Sequence, residues 1–308
     1  MKYSQNSSFY SLILLLSGLF SSPLFANEIE ARRWTHLPVG TNIIGLAGAR
    51  TDGDIFIDPV LLLEDVELEM DTVVTSFLHS FNLFDKTARF DVRLPYQKAH
   101  WQGLLDGEPR SAKREGLGDP LFRLSVNFLG APALKGDKYR SYRTSHTTNT
   151  VVGAAVAVRV PLGQYKEDKL LNLGQNRYTI RPQLGMVHTR GPIAFELTGS
   201  VNFFTDNDEF WNGNKLEQDP LYFLQTHLTY SFKNKFWTSI AAGYDWGGQS
   251  KINGIKKDDQ RQDIYFAIST GFPVSQNSSI KFSYVGGRTQ ENIGADTNNF
   301  IMGYSVRF

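Results

Sequence analysis

Hydrophobic residues recur at every second position from about residue 66 to the end of the chain, which predicts strands and almost no helix. Tyr222, Leu224, Thr226, Leu228, Tyr230 and Phe232 alternate with Phe223, Gln225, His227, Thr229 and Ser231. After the turn Lys233-Asn234-Lys235 the pattern resumes with Phe236, Thr238, Ile240, Ala242, Tyr244 and Trp246. Followed along the chain, this period predicts twelve strands near 41–50, 66–82, 88–102, 118–129, 150–162, 177–190, 192–205, 219–232, 235–247, 262–274, 279–288 and 299–308. Gly45, Ala47 and Gly48 leave the first of these with little side-chain signal.

The connections alternate in length. Phe84–Thr87, Arg190-Gly191, Lys233–Lys235 and Ser275–Ser278 are tight, whereas Gly103–Gly116, Gly163–Asn176, Asp206–Gln218, Gly248–Arg261 and Gln290–Asn298 are long and polar. Short turns at one end and long loops at the other are the arrangement of an outer-membrane barrel. Gly130–Asn149 departs from the rhythm, because parity places it among the short turns. It is either a periplasmic excursion or the mark of a miscounted strand.

A soluble β-sandwich also alternates apolar and polar residues. Here, however, rings stand near both ends of the apolar faces: Tyr222 and Phe232, Phe236 and Trp246, Phe300 and Phe308. Amphipathic rings at two levels suit the two interfaces of a bilayer. The opposite faces are small and polar, with charges able to pair across a polar lumen. The pore-lining candidates are Asp91, Arg93, Arg123, Arg159, Arg181, Glu196, Lys281 and Arg307. The expected fold is therefore all-β, an antiparallel transmembrane β-barrel of about 12 strands of the Gram-negative outer-membrane type.

Composition narrows the reading. The mean hydropathy of −0.29 excludes a helical membrane protein, but not one that crosses with strands, where every second residue is free to be polar. The 308 residues hold 32 Lys and Arg against 31 Asp and Glu, which gives no electrostatic case for nucleic acid. Cysteine is absent, so there is no disulfide framework and no thiolate chemistry. At the N-terminus, Lys2 precedes the apolar run Leu12–Leu16 with Leu19 and Phe20, Pro23 interrupts it, and Ala26 suits a cleavage position. The run is too short to span a bilayer and reads as a cleaved secretory signal. The chain then divides into a signal peptide over 1–26, a periplasmic segment over 27–40 and the barrel over 41–308. Arg32-Arg33-Trp34 in the second of these could fold into the lumen as a plug and pair with Asp91 or Glu196, or stay a loose terminus.

The last strand ends Tyr304-Ser305-Val306-Arg307-Phe308. It resembles the terminal-strand signal of bacterial outer-membrane proteins, with Tyr304 and Phe308 as its aromatic positions. That resemblance implies a Gram-negative outer membrane, insertion by the barrel-assembly machinery, and outer-membrane lipid and lipopolysaccharide as surroundings.

Three stretches carry a family resemblance. They are Ala31–Asn42 (ARRWTHLPVGTN), Gly116-Leu117-Gly118-Asp119-Pro120 with the following Arg123, Val126-Asn127 and Gly130–Leu134, and Val160-Pro161-Leu162-Gly163-Gln164-Tyr165. Together they resemble the family called "putative MetA-pathway of phenol degradation", over about residues 31–308. The resemblance implies an outer-membrane channel or uptake protein, associated by name with the breakdown of aromatic compounds. Read from its residues alone, Gly118-Asp119-Pro120 is a strand-entry turn in which Asp bonds the backbone two residues on and Pro fixes φ.

Catalytic constellations are thin. There is no His-Glu-x-x-His, no Gly-x-Ser-x-Gly, no phosphate loop and no dinucleotide fingerprint. His79 and Ser80 point to opposite faces of one strand. His188 or His227 could meet a Ser across strands, the geometry a barrel-embedded lipid hydrolase of the outer-membrane phospholipase kind would need. Asp206-Asn207-Asp208-Glu209 offers oxygens to calcium, although a solvated acidic loop is the commoner outcome. No cofactor, metal or catalytic residue is assigned. The preferred function is a channel for small solutes, aromatic or otherwise hydrophobic. A non-conducting structural barrel is the remaining alternative. Twelve strands enclose a bore between the filled eight-strand barrel and the open sixteen-strand porin. Phe204, Phe223, Trp237 and Tyr265 fall on its inner face and could form an apolar patch for such cargo.

Overall fold

The computed structural model describes residues 29–56 and 63–308, and the signal-peptide reading for 1–26 lies outside them. In chain order the elements are β1 (Asn42–Phe56), β2 (Leu63–Leu83), β3 (Lys86–Leu105), β4 (Glu108–Leu117), β5 (Leu121–Pro132), α1 (Gly136–Ser145), β6 (Thr148–Arg159), β7 (Thr179–Arg190) and β8 (Ile193–Phe204). They continue with β9 (Asn207–Phe210), β10 (Asn214–Gln218), β11 (Leu221–Ser231), β12 (Trp237–Gly247), β13 (Ser250–Ile252), β14 (Ile255–Lys256), β15 (Arg261–Pro273), β16 (Ser278–Thr289) and β17 (Gly294–Arg307).

Twelve of these strands form one antiparallel ring in the order β2-β1-β17-β16-β15-β12-β11-β8-β7-β6-β5-β3, closed by β3 on β2. Closure removes the exposed edges that an open sheet would offer to lipid. At the seam β1 pairs with β17 from Ile43↔Arg307 to Phe56↔Gly294. The backbones of Asn42 and Phe308 exchange two further hydrogen bonds of 3.0 Å. The ring is the twelve-strand barrel that the alternation predicts, with strands at the expected places.

Burial is inverted relative to a water-soluble sheet. On β11 the buried positions are Leu221, Phe223, Gln225, His227 and Thr229, while Tyr222, Leu224, Leu228 and Tyr230 are exposed. Arg123 is 1% exposed and Glu196 3%, against 60% for Leu184 and 57% for Ile240. An apolar outer face around a polar interior is stable only if hydrocarbon covers the outside. Rings gather at both margins of that face. At the short-turn end Phe232, Phe236 and Phe272 stand 4.7–4.8 Å apart, and at the loop end Tyr222 stacks on Trp246 at 5.5 Å.

Two connections differ from the sequence expectation, and a third takes one of the two forms it left open. Gly103–Gly116 is a hairpin, because Asp106 (φ 54°) and Gly107 (φ 74°) make the two-residue turn that continues β3 into β4. Asn253 (φ 50°) and Gly254 (φ 76°) do the same between β13 and β14. With β9 and β10 these short strands build a second, four-stranded sheet over the loop end. Asp-Gly and Asn-Gly are strong short hairpin signals, outweighed in the reading of the chain by the polarity around them. The 130–149 connection is an excursion at the short-turn end and carries α1, so the strand count stands.

Candidate functional site: the bore and the segment within it

Residues 29–40 run inside the ring. Trp34 is 1% exposed and lies against two bare stretches of wall, Gly153 on β6 and Gly185 on β7. A Cβ on Gly185 would stand 2.1 Å from Trp34 Nε1, and one on Gly153 would stand 2.7 Å from the ring, so both positions require glycine. The indole N–H donates to Thr198 Oγ1 at 2.7 Å. Glu196 Oε1 accepts the backbone N–H groups of Arg33 (2.8 Å) and Trp34 (3.3 Å).

Charge ties the same segment to β3 and β5. Asp91 faces three guanidiniums, Arg33 at 3.6 Å, Arg89 at 3.3 Å and Arg123 at 3.5 Å. Glu30 accepts from Arg93 at 2.9 Å and Arg123 at 3.0 Å. Burial opposes the charge on Glu30. The guanidiniums of Arg93 and Arg123 outweigh it and hold that carboxyl well below the usual range. Beneath, towards the short-turn end, the His36 ring lies edge-on to Tyr139 and Tyr142 of α1 at 5.0 and 5.5 Å. Burial lowers the His36 pKa, and the neutral ring donates from Nε2 to the Pro132 carbonyl at 2.9 Å.

Above this segment lies a half-enclosed chamber of about 370 Å³. Its wall comes mainly from β1, β2, β16 and β17, where Ala47, Ala49, Val74, Val285 and Ile301 give an apolar surface interrupted by Ser76, Ser283 and Asn299, with Pro95 and Gln97 of β3 and Leu121 of β5. Ile29 and Glu30 form its floor; Asp119, Leu173 and Gln175 form its roof. Arg93, Arg159 and Lys281 supply positive charge.

The roof is a loop folded inward. Asp119 accepts the N–H of Gly163 at 2.9 Å and of Gln175 at 2.8 Å, so one carboxylate pins both ends of the 160–178 connection. Burial is the main influence on this carboxyl and raises its pKa, against the pull of the two donors. Leu173 packs into a buried cluster with Leu68, Met70, Ala99 and Trp101. Gly118-Asp119-Pro120 thus does more than start a strand: its carboxylate bonds residues 44 and 56 positions away rather than two residues on.

Of the charged residues singled out from the sequence, Asp91, Arg123, Arg181 and Glu196 are buried on the inner face, and Arg93, Arg159 and Lys281 line the chamber. Arg307 is exposed at the rim, in the last pair of the β1–β17 ladder, where its Nη2 donates to the Gln276 carbonyl at 3.2 Å. Phe204, Phe223, Trp237 and Tyr265 do not form one patch. Phe223 meets Tyr265 edge-on at 5.7 Å, and Phe204 lies under the Arg177 guanidinium at 4.5 Å. Trp237 stands under Arg32, eight residues along β12 from the partner of Phe223, a separation of roughly 26 Å at 3.3 Å per residue. Alternation assigns a face but says nothing of height. Tyr304 and Phe308 point outward and are exposed. Ile29, Glu30 and the roof were not singled out from the sequence. Among them only the Gly-Asp-Pro and Pro-Leu-Gly stretches carried a signal.

Neither His188 nor His227 is hydrogen-bonded to a serine among the described residues. His188 Nδ1 meets Thr150 Oγ1 at 2.8 Å, and His227 Nε2 meets Gln225 Oε1 at 2.9 Å. Asp206 and Asp208 face Lys215, and among the described residues no cluster of His, Cys, Asp or Glu is placed to hold a metal.

A closed twelve-strand ring, greasy outside and polar within, with a chamber in its bore, defines the class: an outer-membrane β-barrel. The chain belongs to the family described as "Putative MetA-pathway of phenol degradation", whose model matches residues 47–305. The Ala31–Asn42 stretch precedes the matched region. Among solved structures, the chain is similar to an outer membrane channel from Pseudomonas putida F1, with 22% identity, TM-score 0.76, and 91% of this chain and 100% of that one covered. It is also similar to the transport unit of the autotransporter AIDA-I from Escherichia coli, with 12% identity, TM-score 0.50 and both chains covered in full. At these identities the likeness is one of fold. No curated protein matches.

Proposed function

We propose that the protein is an outer-membrane channel for small solutes with an apolar body, and that residues 29–40 act as a plug on its periplasmic side. One observation carries this reading: the bore is filled on its periplasmic side by a segment that is hydrogen-bonded but not covalently closed, and above it opens a chamber of about 370 Å³ with a largely apolar wall. That volume lies at the small end of ligand sites, which favours a solute of one ring or a short chain. The family's name and the likeness to the Pseudomonas channel agree with such a role. In this reading the pore-lining set is the inward one, led by Asp91, Arg93, Arg123, Arg159, Arg181, Glu196 and Lys281. Cleavage of residues 1–26 accompanies export, and Tyr304 and Phe308 serve recognition by the assembly machinery in a membrane of lipid and lipopolysaccharide.

The test is reconstitution of the full chain, signal removed, into vesicles. Uptake of a small apolar solute above the rate of protein-free vesicles is expected, with a further rise when residues 29–40 are deleted. Equal uptake with and without the protein, for both forms, would overturn the channel.

A further inference from the structure

Resting on the channel reading, we infer that the chamber selects organic anions, namely a carboxylate on an apolar body, with Lys281 as the group that holds the charge. Lys281 projects from β16 into the chamber, and among the described residues it has no hydrogen bond or ion pair. Its register neighbours on both sides are glycines, Gly271 and Gly303. The space over Gly271 is taken by the Trp237 ring, whereas Gly303 places no side chain between Lys281 and Ala47 in the register.

The carboxylates that share the chamber are already engaged. Glu30 accepts from Arg93 and Arg123, and both oxygens of Asp119 are taken by backbone N–H groups. A lone ammonium beside apolar wall is costly to desolvate and gains most from an anion that arrives with its own apolar body. A neutral hydrocarbon would leave that charge unpaired, and a small inorganic anion would leave the wall around Ala47, Val285 and Ile301 uncovered. The site therefore fits amphipathic monocarboxylates of about one aromatic ring better than either.

Calorimetry on the folded full chain in detergent, with benzoate, benzyl alcohol and acetate as probes, tests this, alongside vesicle uptake of the same three. Benzoate is expected to bind more tightly than the other two. Lys281→Met should weaken benzoate by about tenfold, the scale of one charge-assisted hydrogen bond, and leave benzyl alcohol unchanged. Lys281→Arg should keep most of the benzoate affinity and shows that a loss in the Met variant is not one of folding. Benzyl alcohol binding as tightly as benzoate, or the Met variant weakening both alike, would overturn the assignment. Benzoate binding without uptake of any probe would defeat the channel and leave the anion site standing. Equal uptake of benzoate and benzyl alcohol, with no effect of Lys281→Met, would do the reverse.

Discussion

The two sides of the bore are built from the same alternating strands, yet one is filled and the other is open. On the β5–β8 side the inward residues are Arg123, Gln183, Glu196 and Thr198, with glycines where Trp34 must fit, and the N-terminal segment completes them. On the β16–β17–β1–β2 side Val285, Ile301, Ala47, Ala49 and Val74 stand among Ser76, Lys281, Ser283 and Asn299, and among the described residues a chamber is left in front of them. Binary pattern fixes which face looks inward. Side-chain size and hydrogen-bonding capacity on that face decide whether the chain closes its own bore or leaves room for a guest.

The largest break in this comparison should come from Trp34→Ala. Removing a buried indole costs about 3–5 kcal/mol, so the equilibrium constant for docking should fall by about two to four powers of ten. Protease cleavage within residues 29–40 of the folded barrel, and its single-channel conductance, should both rise. If neither changes, the segment is held by its ion pairs and not by the ring.

Asp119→Ala acts on the roof of the open side. It removes the acceptor of two charge-assisted hydrogen bonds, each worth about 1.5–3 kcal/mol, and frees the 160–178 loop from Gly163 and Gln175. Faster hydrogen exchange at those two amides, with the wall strands unaffected, is the expected signature. Ala47→Phe narrows the open side alone. Solute uptake should drop while the protease resistance of residues 29–40 stays as in the parent. A parallel loss of both would mean that the two sides are not separate.

The smallest effect is on pH. In the docked state the Glu30 carboxyl sits well below its ordinary value of 4.5. Its contribution to docking is therefore complete above about pH 4.5 and is lost only as pH falls through the lowered value. Protease resistance should be flat from neutrality to below pH 4.5 and decline in more acid solution. Glu30→Gln should remove that decline at a modest cost, because Asp91 still faces Arg123 at 3.5 Å.

Much of the molecule was legible beforehand. The alternation at Tyr222–Phe232 and Phe236–Trp246 names both strands and their outer faces, because a strand side chain has only two directions to take. The inward placement of Arg123 and Glu196 follows from the same rule. The hairpin at Asp106-Gly107 was also written in the chain, in a dipeptide whose backbone freedom selects that turn. What the chain could not show was height and partnership. Phe223 and Trp237 share a face but sit at opposite ends of the bore, and Asp119 finds its donors 44 and 56 residues away.

By itself, then, the amino-acid order determined a ring of twelve strands, its lipid side and its water side, since these follow from a period of two and from the length of each connection. Only the folded ring decided that Glu30 and Trp34 enter the bore, that two glycines receive the indole, and that Lys281 is left facing an apolar wall. Those outcomes depend on strand stagger and closure, which bring together residues whose separation along the chain carries no information about their meeting.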